Sequence, residues 1–453
     1  MTPAPRILLV DADAFFVAVA RQVDPEGAGR AALLIVGGRP GSRGVVCSAS
    51  YECRRYGVRS AMPIARALAL CPDALCVPVP RAACSERSRA IQGVLGRFAP
   101  VVQASSIDEW YCDLAGTEAL YGHESLADTA RRIREAVLEA TGLYVSIGGG
   151  TSRLVAKMAV EVGKPKPGSG ATGVHCVAPG EEAEFLGRFQ LAELPMVGPR
   201  LAETLARMGL ETVREAQRWP EEALVSRLGE RTGRWLARRV RGVDDSIVSP
   251  RERQKQVSRE DTFARDLDDD DLLERELLRL AVRVSSDLRR QALRARTVTV
   301  KVKDADFRVR SAQRTLGGFI ESEGAVLKAA RPLLRQLRRK RRVPLRLLGI
   351  ALSHFDADDR GAPLPATQLG LFAEPTASAS PGVSRGGGGE GKGEGEGEGE
   401  GGEGLPFPEP TESERDRALT RALDRIRDRY GSAAILPARL VDPAHETGPR
   451  VEE

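Results

Sequence analysis

Asp108 and Glu109 are adjacent carboxylates in the run Ser105-Ser106-Ile107-Asp108-Glu109-Trp110-Tyr111-Cys112-Asp113-Leu114, which otherwise reads as strand. Ionised side by side they repel, so the pair needs a compensating charge. Hard oxygen donors suit a hard divalent cation, Mg2+ or Mn2+. A third acid, Asp11, ends the buried-strand pattern Ile7-Leu8-Leu9-Val10-Asp11. If the two strands are neighbours, Asp11, Asp108 and Glu109 converge on one metal site.

The flanking patterns supply the elements that must position these acids. Residues 6–20 read as a strand and the start of a helix. Strands at 32–37 and 44–48 precede a helix beginning near Ser50. An Ala-rich helix follows over 60–70, with Pro63 tolerated in its first turn. A strand at 74–79 and a helix over 83–98 lead to strands 101–106 and 110–114, with the acidic pair at their turn. An amphipathic helix over 125–141, a strand at 143–148 and a helix over 152–162 complete an α/β or α+β block. Gly148-Gly149-Gly150-Thr151 lacks the Gly-Lys of a phosphate loop and reads as a tight strand-to-helix turn.

Residues 180–245 read as helical throughout. Leu194-Pro195-Met196-Val197-Gly198-Pro199-Arg200 opens on a helix N-terminus, either a phosphate-backbone clamp or an ordinary helical hairpin. Residues 250–355 read as a small βαβ-type sandwich, with strands at 255–263, 297–303, 308–315 and 345–355 and helices at 272–294 and 322–340. Thr299, Lys301 and Lys303 alternate onto one strand face. The Gly-Glu repeat over 386–404 cannot bury a core. A last helix over 412–430 ends at Gly431.

A length of 453 residues suggests about three domains. Apolar content is 42% but aromatics are 4%, so the cores must rest on Leu, Val and Ala. The formal charge is only +5, but Arg331 to Arg346 holds eight basic residues and no acid, which suggests a polyanionic partner. Seven Cys without a C-x-x-C pair and four His without zinc spacing read as reduced intracellular thiols. No apolar run is long enough for a signal segment or membrane span, so a soluble, non-exported, cytoplasmic protein is expected.

Several strings occur together, in order, over roughly residues 6–355. They are Val10-Asp11-Ala12-Asp13-Ala14-Phe15-Phe16, residues 48–63 beginning Ser48-Ala49-Ser50-Tyr51-Glu52-Cys53-Arg54-Arg55-Tyr56-Gly57, Ser106-Ile107-Asp108-Glu109, Ser146-Ile147-Gly148, Ala156-Lys157-Met158-Ala159 through Lys164-Pro165, and Val257-Ser258-Arg259-Glu260-Asp261-Thr262-Phe263. In this the chain resembles the Y-family DNA polymerases, and among them the bacterial DNA polymerase IV type. The resemblance implies an α+β multidomain right hand with a disordered C-terminal tail. It places the palm at 1–22 and 75–172, the fingers at 23–74, a helical thumb with a helix-hairpin-helix at 173–246 and a little finger at 250–356. A disordered linker follows at 357–411, then a C-terminal helix and tail at 412–453.

The implied activity is low-fidelity, template-directed addition of dNTPs to a primer 3′-hydroxyl by two Mg2+ ions about 3.5–4 Å apart, with Mn2+ as a substitute. By resemblance Asp11 and Asp108 bridge both ions, Glu109 binds the hydroxyl-side ion and the Ala12 carbonyl is a further ligand. Asp13 becomes a turn or capping acid. Phe15 becomes a core residue, and Phe16 the ring beneath the sugar that excludes a 2′-hydroxyl. Ser48, Tyr51 and Arg54 match the triphosphate-holding positions; Tyr51 and Arg54 share a helical face, and Arg offers a fork to phosphate oxygens. Lys164 matches the palm lysine of the same clamp, with Lys166 as the other alignment.

Gln368-Leu369-Gly370-Leu371-Phe372 looks like a bacterial sliding-clamp-binding peptide, anchored by Gln368, Leu369, Leu371 and Phe372. Implied partners are therefore primer-template DNA, dNTP and the clamp, with no membrane and a monomeric chain. A non-catalytic accessory of the same fold would have lost the acids, and this chain keeps them. The sequence departs from the pattern at Trp110, where Ala is usual, and at Met196, where Gly is usual. Trp110 either packs under the palm or disturbs the metal site; Met196 weakens a backbone contact with DNA.

Overall fold

The computed structural model describes residues 5–165, 170–250, 254–356, 412–431, 434–435 and 437–440. The chain divides into two compact units, one spanning 1–252 and the other built on 253–364 with the C-terminal residues from 375.

The first unit begins with β1 (Ile7–Ala12), α1 (Phe15–Val23), β2 (Leu34–Gly37), β3 (Val46–Ala49), α2 (Tyr51–Arg55), α3 (Ile64–Leu70) and β4 (Leu75–Val77). It continues with α4 (Arg81–Leu95), β5 (Val101–Ala104), β6 (Glu109–Asp113), α5 (Leu126–Thr141), β7 (Val145–Gly150), α6 (Arg153–Gly163) and β8 (Val174–Cys176). Strands β5-β6-β1-β7-β8 form one sheet in that order, and β3-β2-β4 form a small second sheet. Strand β1 is central and buried at every residue, so its sequence is a nearly unbroken apolar run.

Side chains alternate across that strand. Leu8, Val10 and Ala12 join the large core made with α1, α4 and α5, whereas Ile7 and Leu9 pack with Tyr111 and with Ala156 and Val160 of α6. Helix α6 also buries Leu154, Val155, Met158 and Ala159 against a helical cluster. That cluster comprises α7 (Glu182–Leu186), α8 (Pro199–Arg207), α9 (Val213–Gln217), α10 (Glu221–Leu228) and α11 (Glu230–Arg239). With two faces buried, α6 has one stripe left for polar side chains.

The approach of α6 to the sheet depends on Gly148, where a Cβ would stand 2.2 Å from both the Ala156 oxygen and the Val160 nitrogen. Gly148, Gly149 and Gly150 therefore lie within β7, and the turn expected there falls later, at Thr151 and Ser152. Ser152 caps α6 through the Val155 N–H.

The second unit runs β9 (Gln256–Leu267), α12 (Asp270–Arg290), β10 (Ala295–Asp304), β11 (Val309–Ile320), α13 (Glu323–Lys340) and β12 (Leu345–Phe355). Its strand order is β11-β10-β12-β9, with every neighbouring pair antiparallel. The expected βαβ sandwich is thus a split one: β9 and β10, joined by α12, run parallel but are separated by β12. Both helices bury one face on the sheet, α12 through Leu273, Leu277, Leu280 and Val284, and α13 through Val326, Ala330 and Leu334.

The last helix, α14 (Glu414–Tyr430), is part of this unit. None of its residues belongs to the apolar core, and only Thr420 and Arg427 are buried. Charge attaches it instead. Arg289, its side chain 5% exposed, makes two hydrogen bonds to Asp424, at 2.6 and 2.8 Å. The Glu412 carboxylate accepts from the N–H groups of Glu321 and Ser322 at the start of α13, and Arg421 pairs with Glu321. Arg289→Gln is expected to release α14. Amide hydrogen exchange over 414–430 should accelerate at least about tenfold while residues 256–355 stay protected, because breaking one side of a buried pair strands the other charge. Raising salt from about 0.1 to about 1 M should act in the same direction. Unchanged exchange in the variant would mean that apolar contacts hold the helix.

Candidate active site

The three acids are brought together where two interior strands of the larger sheet end, at the end of β1 and the start of β6. β1 and β6 are antiparallel neighbours with Asp11 directly opposite Glu109. Asp108 precedes β6 in the turn, and its carbonyl accepts the Ala12 N–H at 2.9 Å. The turn is tight: the Glu109 carbonyl accepts from the N–H groups of both Ser105 and Ser106. Alternation sends Glu109 and Tyr111 toward the α6 side and Trp110 and Cys112 into the large core.

Each acid has a partner of its own. The Lys164 ammonium lies 3.0 Å from Asp11 Oδ2 and 2.7 Å from Glu161 Oε1. Lys157 donates to Glu109 Oε1, and the Ser106 hydroxyl donates to Asp108 Oδ1. Asp13 is held apart, accepting from the Ser146 hydroxyl at 2.8 Å while its N–H donates to the Tyr144 carbonyl. Among the described residues, no three His, Cys, Asp or Glu side chains are gathered closely enough to hold a metal as they stand. The donor set nevertheless fits a hard divalent cation: three carboxylates at the ends of two neighbouring strands, without a soft ligand, and each detained by a contact that can be broken.

The electrostatics reflect crowding of acids away from water. Burial pushes the Asp11 carboxyl up to about 7; Lys164 opposes the shift and Glu109 adds to it. Burial likewise raises Asp108, against the Ser106 hydrogen bond. For Lys157 burial acts against the charge, but Glu109 outweighs it and the net shift is upward; Lys164 is raised in the same way by Asp11 and Glu161. The Lys164–Asp11 contact is best described as an ion pair, because the ammonium compensates the buried carboxylate.

The residues expected to hold a nucleotide lie on α1, β3 and α2. Phe16 is 7% exposed and meets Phe15 edge to face, with ring centroids 5.6 Å apart. Ser48 is buried in β3. The Arg54 guanidinium sits 4.8 Å from the Tyr51 ring centroid, and its Nε donates to the Ala49 carbonyl. Burial raises the Tyr51 phenol, and Asp13, Lys164 and Asp11 are close enough to act on it. A cavity of about 410 Å³ opens beside Tyr51, lined by Asp13, Ala14, Val17, Tyr144 and Pro165 among others. Lys166 and the peptide Gln368, Leu369, Leu371 and Phe372 lie outside the described residues.

Trp110 is fully buried in the large core, beneath the sheet and on the face away from Glu109. Its indole N–H finds no acceptor among the described residues, a cost of about 1–3 kcal/mol. Met196 is 78% exposed with φ +71°, a backbone conformation that favours glycine. Lys157 is not among the residues expected at the site. The available signal was spacing: 157, 161 and 164 recur at i, i+4 and i+7, which places Lys157, Glu161 and Lys164 on one stripe.

Residues 10–161 match the impB/mucB/samB family, and residues 254–369 match its C-terminal domain. A DNA polymerase IV of Desulfatibacillum aliphaticivorans is 34% identical over 435 residues, covering 96% of this chain and 96% of its own. The DNA polymerase IV of Methanoculleus marisnigri is 38% identical over 360 residues, 79% of this chain and 96% of that one. This chain belongs to the DNA polymerase IV family. DNA polymerase IV enzymes are DNA-directed DNA polymerases of the Y family, and the solved structures agree on the fold. A Y-family polymerase chimera of Dbh and Dpo4 superposes with a TM-score of 0.69 at 24% identity, covering 78% of this chain and all of its own. DinB from Sulfolobus solfataricus gives 0.52 at 26%, covering 77% and 98%.

Proposed function

We propose that the protein carries out low-fidelity translesion synthesis, transferring nucleotides from dNTPs to a primer 3′-hydroxyl on a DNA template. The observation that supports this most is the cross-strand pair Asp11–Glu109 with Asp108 in the adjoining turn, on the same unit as Tyr51, Arg54 and Lys164. Asp11, Asp108, Glu109 and the Ala12 carbonyl would hold two Mg2+ ions, with Mn2+ able to replace them. Bound there, the ions would activate the primer hydroxyl and neutralise the leaving pyrophosphate. Arg54, steadied on the Tyr51 ring and by the Ala49 carbonyl, presents its remaining N–H groups to the triphosphate with Tyr51 and Ser48. Lys164 completes that clamp, and Phe16 lies under the sugar. The palm is assigned to 1–22 and 75–172, the fingers to 23–74, the thumb to 173–246 and the little finger to 250–356. Of the basic residues of 331–346, Arg331, Arg335, Arg338, Arg341 and Arg342 are paired with acids of their own unit, a correction to the expected patch; the exposed Arg339 and Lys340 would grip the DNA backbone without reading sequence.

Primer extension with Mg2+ opposite an undamaged base and opposite an abasic site tests the reading. Extension in both cases is expected, and a folded protein that incorporates nothing on either template would overturn it. A monomer working in the cytoplasm is expected; among the described residues no helix is long and apolar enough to cross a membrane. Residues Gln368–Phe372 would tether the enzyme to the sliding clamp, raising its local concentration at primer ends. Their deletion should leave distributive synthesis intact and remove stimulation by the clamp. Equal stimulation of both proteins would refute the tether.

A further inference from the structure

Lys157 reaches the palm acids from the polar stripe of α6, whose other faces are buried in the sheet and in the helical cluster. The helix is fixed by Gly148 and capped by Ser152, so Lys157 is delivered from a rigid element. Its side chain is 27% exposed and that of Glu109 24%, so this is a partly desolvated pair rather than a surface one. Seven residues on, at the C-terminal cap of α6, Lys164 does the same to Asp11, with side chains 22% and 12% exposed. Three carboxylates are thus met by two ammonium groups, and the third, Asp108, is turned to Ser106.

We infer that Lys157 is a positioning residue that stands in for a divalent cation at Glu109 and must let go before the metal can bind. The inference rests on the polymerase reading of the acids. An ammonium on Asp11 and another on Glu109 lower the repulsion that would otherwise splay β1 and β6 at their ends. Each also competes with the metal for the same oxygens. Lys164 is released by the same exchange, so metal entry at Asp11 frees the lysine expected to meet the triphosphate. Metal loading and the nucleotide clamp are therefore coupled through α6, and Lys157 sets the cation concentration at which this happens.

The test measures Mn2+ binding to the full-length protein without DNA, by electron paramagnetic resonance, alongside thermal unfolding with and without Mn2+. Lys157→Met and Lys157→Gln remove the competing charge, Lys157→Arg keeps it, and a protein lacking both Asp108 and Glu109 side chains is the blank. The Met and Gln variants are expected to bind Mn2+ about fivefold more tightly than the parent, and the Arg variant like the parent. In metal-free buffer the Met and Gln variants should unfold at lower temperature, and added Mn2+ should raise their unfolding temperature by more than it raises the parent's. Equal affinity in all four proteins, abolished in the blank, would overturn the role of Lys157 while leaving the metal site standing. Absence of any binding that the blank removes would overturn the metal site itself, and the inference with it.

Discussion

Asp108→Ala and Glu109→Ala are each expected to abolish template-directed primer extension while leaving DNA affinity within about twofold. On the proposed reading Asp108 would bridge the two ions and Glu109 would hold the hydroxyl-side ion, so each would help to set the charge beside the attacking oxygen. Losing either would remove several kcal/mol of transition-state stabilisation, so single-turnover extension should fall by about 10³-fold or more. On the same reading DNA binding would rest on phosphate-backbone contacts away from the acids, so removing either carboxylate should leave it nearly unchanged. The structure adds a sign for stability. Burial holds Asp108 above the usual carboxylate range and pushes Asp11 up to about 7, so the fold bears a cost for keeping these acids together. Asp108→Ala should therefore unfold in metal-free buffer no earlier than the parent, as expected where a site trades stability for function. Rapid-quench extension and fluorescence anisotropy on one primer-template check both halves. A variant retaining more than about 1% of the parent rate would remove that residue from the catalytic set.

Much of this site can be read from the chain because it is built from short local patterns. The apolar run ending at Asp11 and the acids before Trp110 mark two strands; that the strands are neighbours, with Glu109 inside the second and opposite Asp11 rather than in the turn, is what the structure adds. What the pattern does not contain is the state of the side chains. That Lys157 and Lys164 sit on Glu109 and Asp11, and that the three acids are therefore not gathered, depends on how closely α6 approaches β7. The approach is set by Gly148, a residue that reads equally well as part of a turn. Trp110 was ambiguous for a related reason. Its neighbour Glu109 is one of the three candidate acids, but strand alternation sends the two side chains to opposite faces, and the ring belongs to the core. Met196 shows the reverse case: the departure from glycine is visible in the sequence, but the left-handed backbone that makes it costly is not. The docking of α14 is the least legible feature. Its hold on Arg289 and on the start of α13 joins residues 90 or more positions apart through charge, and although Leu419, Ala422, Leu423 and Ile426 recur at helical spacing, the residues it buries are Thr420 and Arg427.

Phe16→Ala is expected to lower discrimination against ribonucleotides by about a hundredfold, which is near the limit of what an apolar wall can impose on an added hydroxyl. α1 buries Phe15, Phe16, Val17, Val19 and Ala20, so Phe16 has little freedom to swing aside. Phe15, at 2% exposed, abuts it edge to face and forms its backing, whereas Phe16 keeps a small exposed edge. A ring held in this way can exclude an oxygen atom, and a methyl group in its place cannot. Removing a buried Phe also costs about 3–5 kcal/mol of stability, so the variant must be shown to unfold cooperatively before its kinetics are interpreted. Phe15→Ala separates the two effects: it should destabilise at least as much and change the sugar preference far less. Phe16→Leu should fall between parent and Phe16→Ala in discrimination at a smaller cost in stability. The measurement is the ratio of kcat/KM for a dNTP to that for its ribonucleotide in each folded variant. If the ratio for Phe16→Ala stays within about twofold of the parent, the gate lies elsewhere, and Phe16 is a core residue like its neighbour.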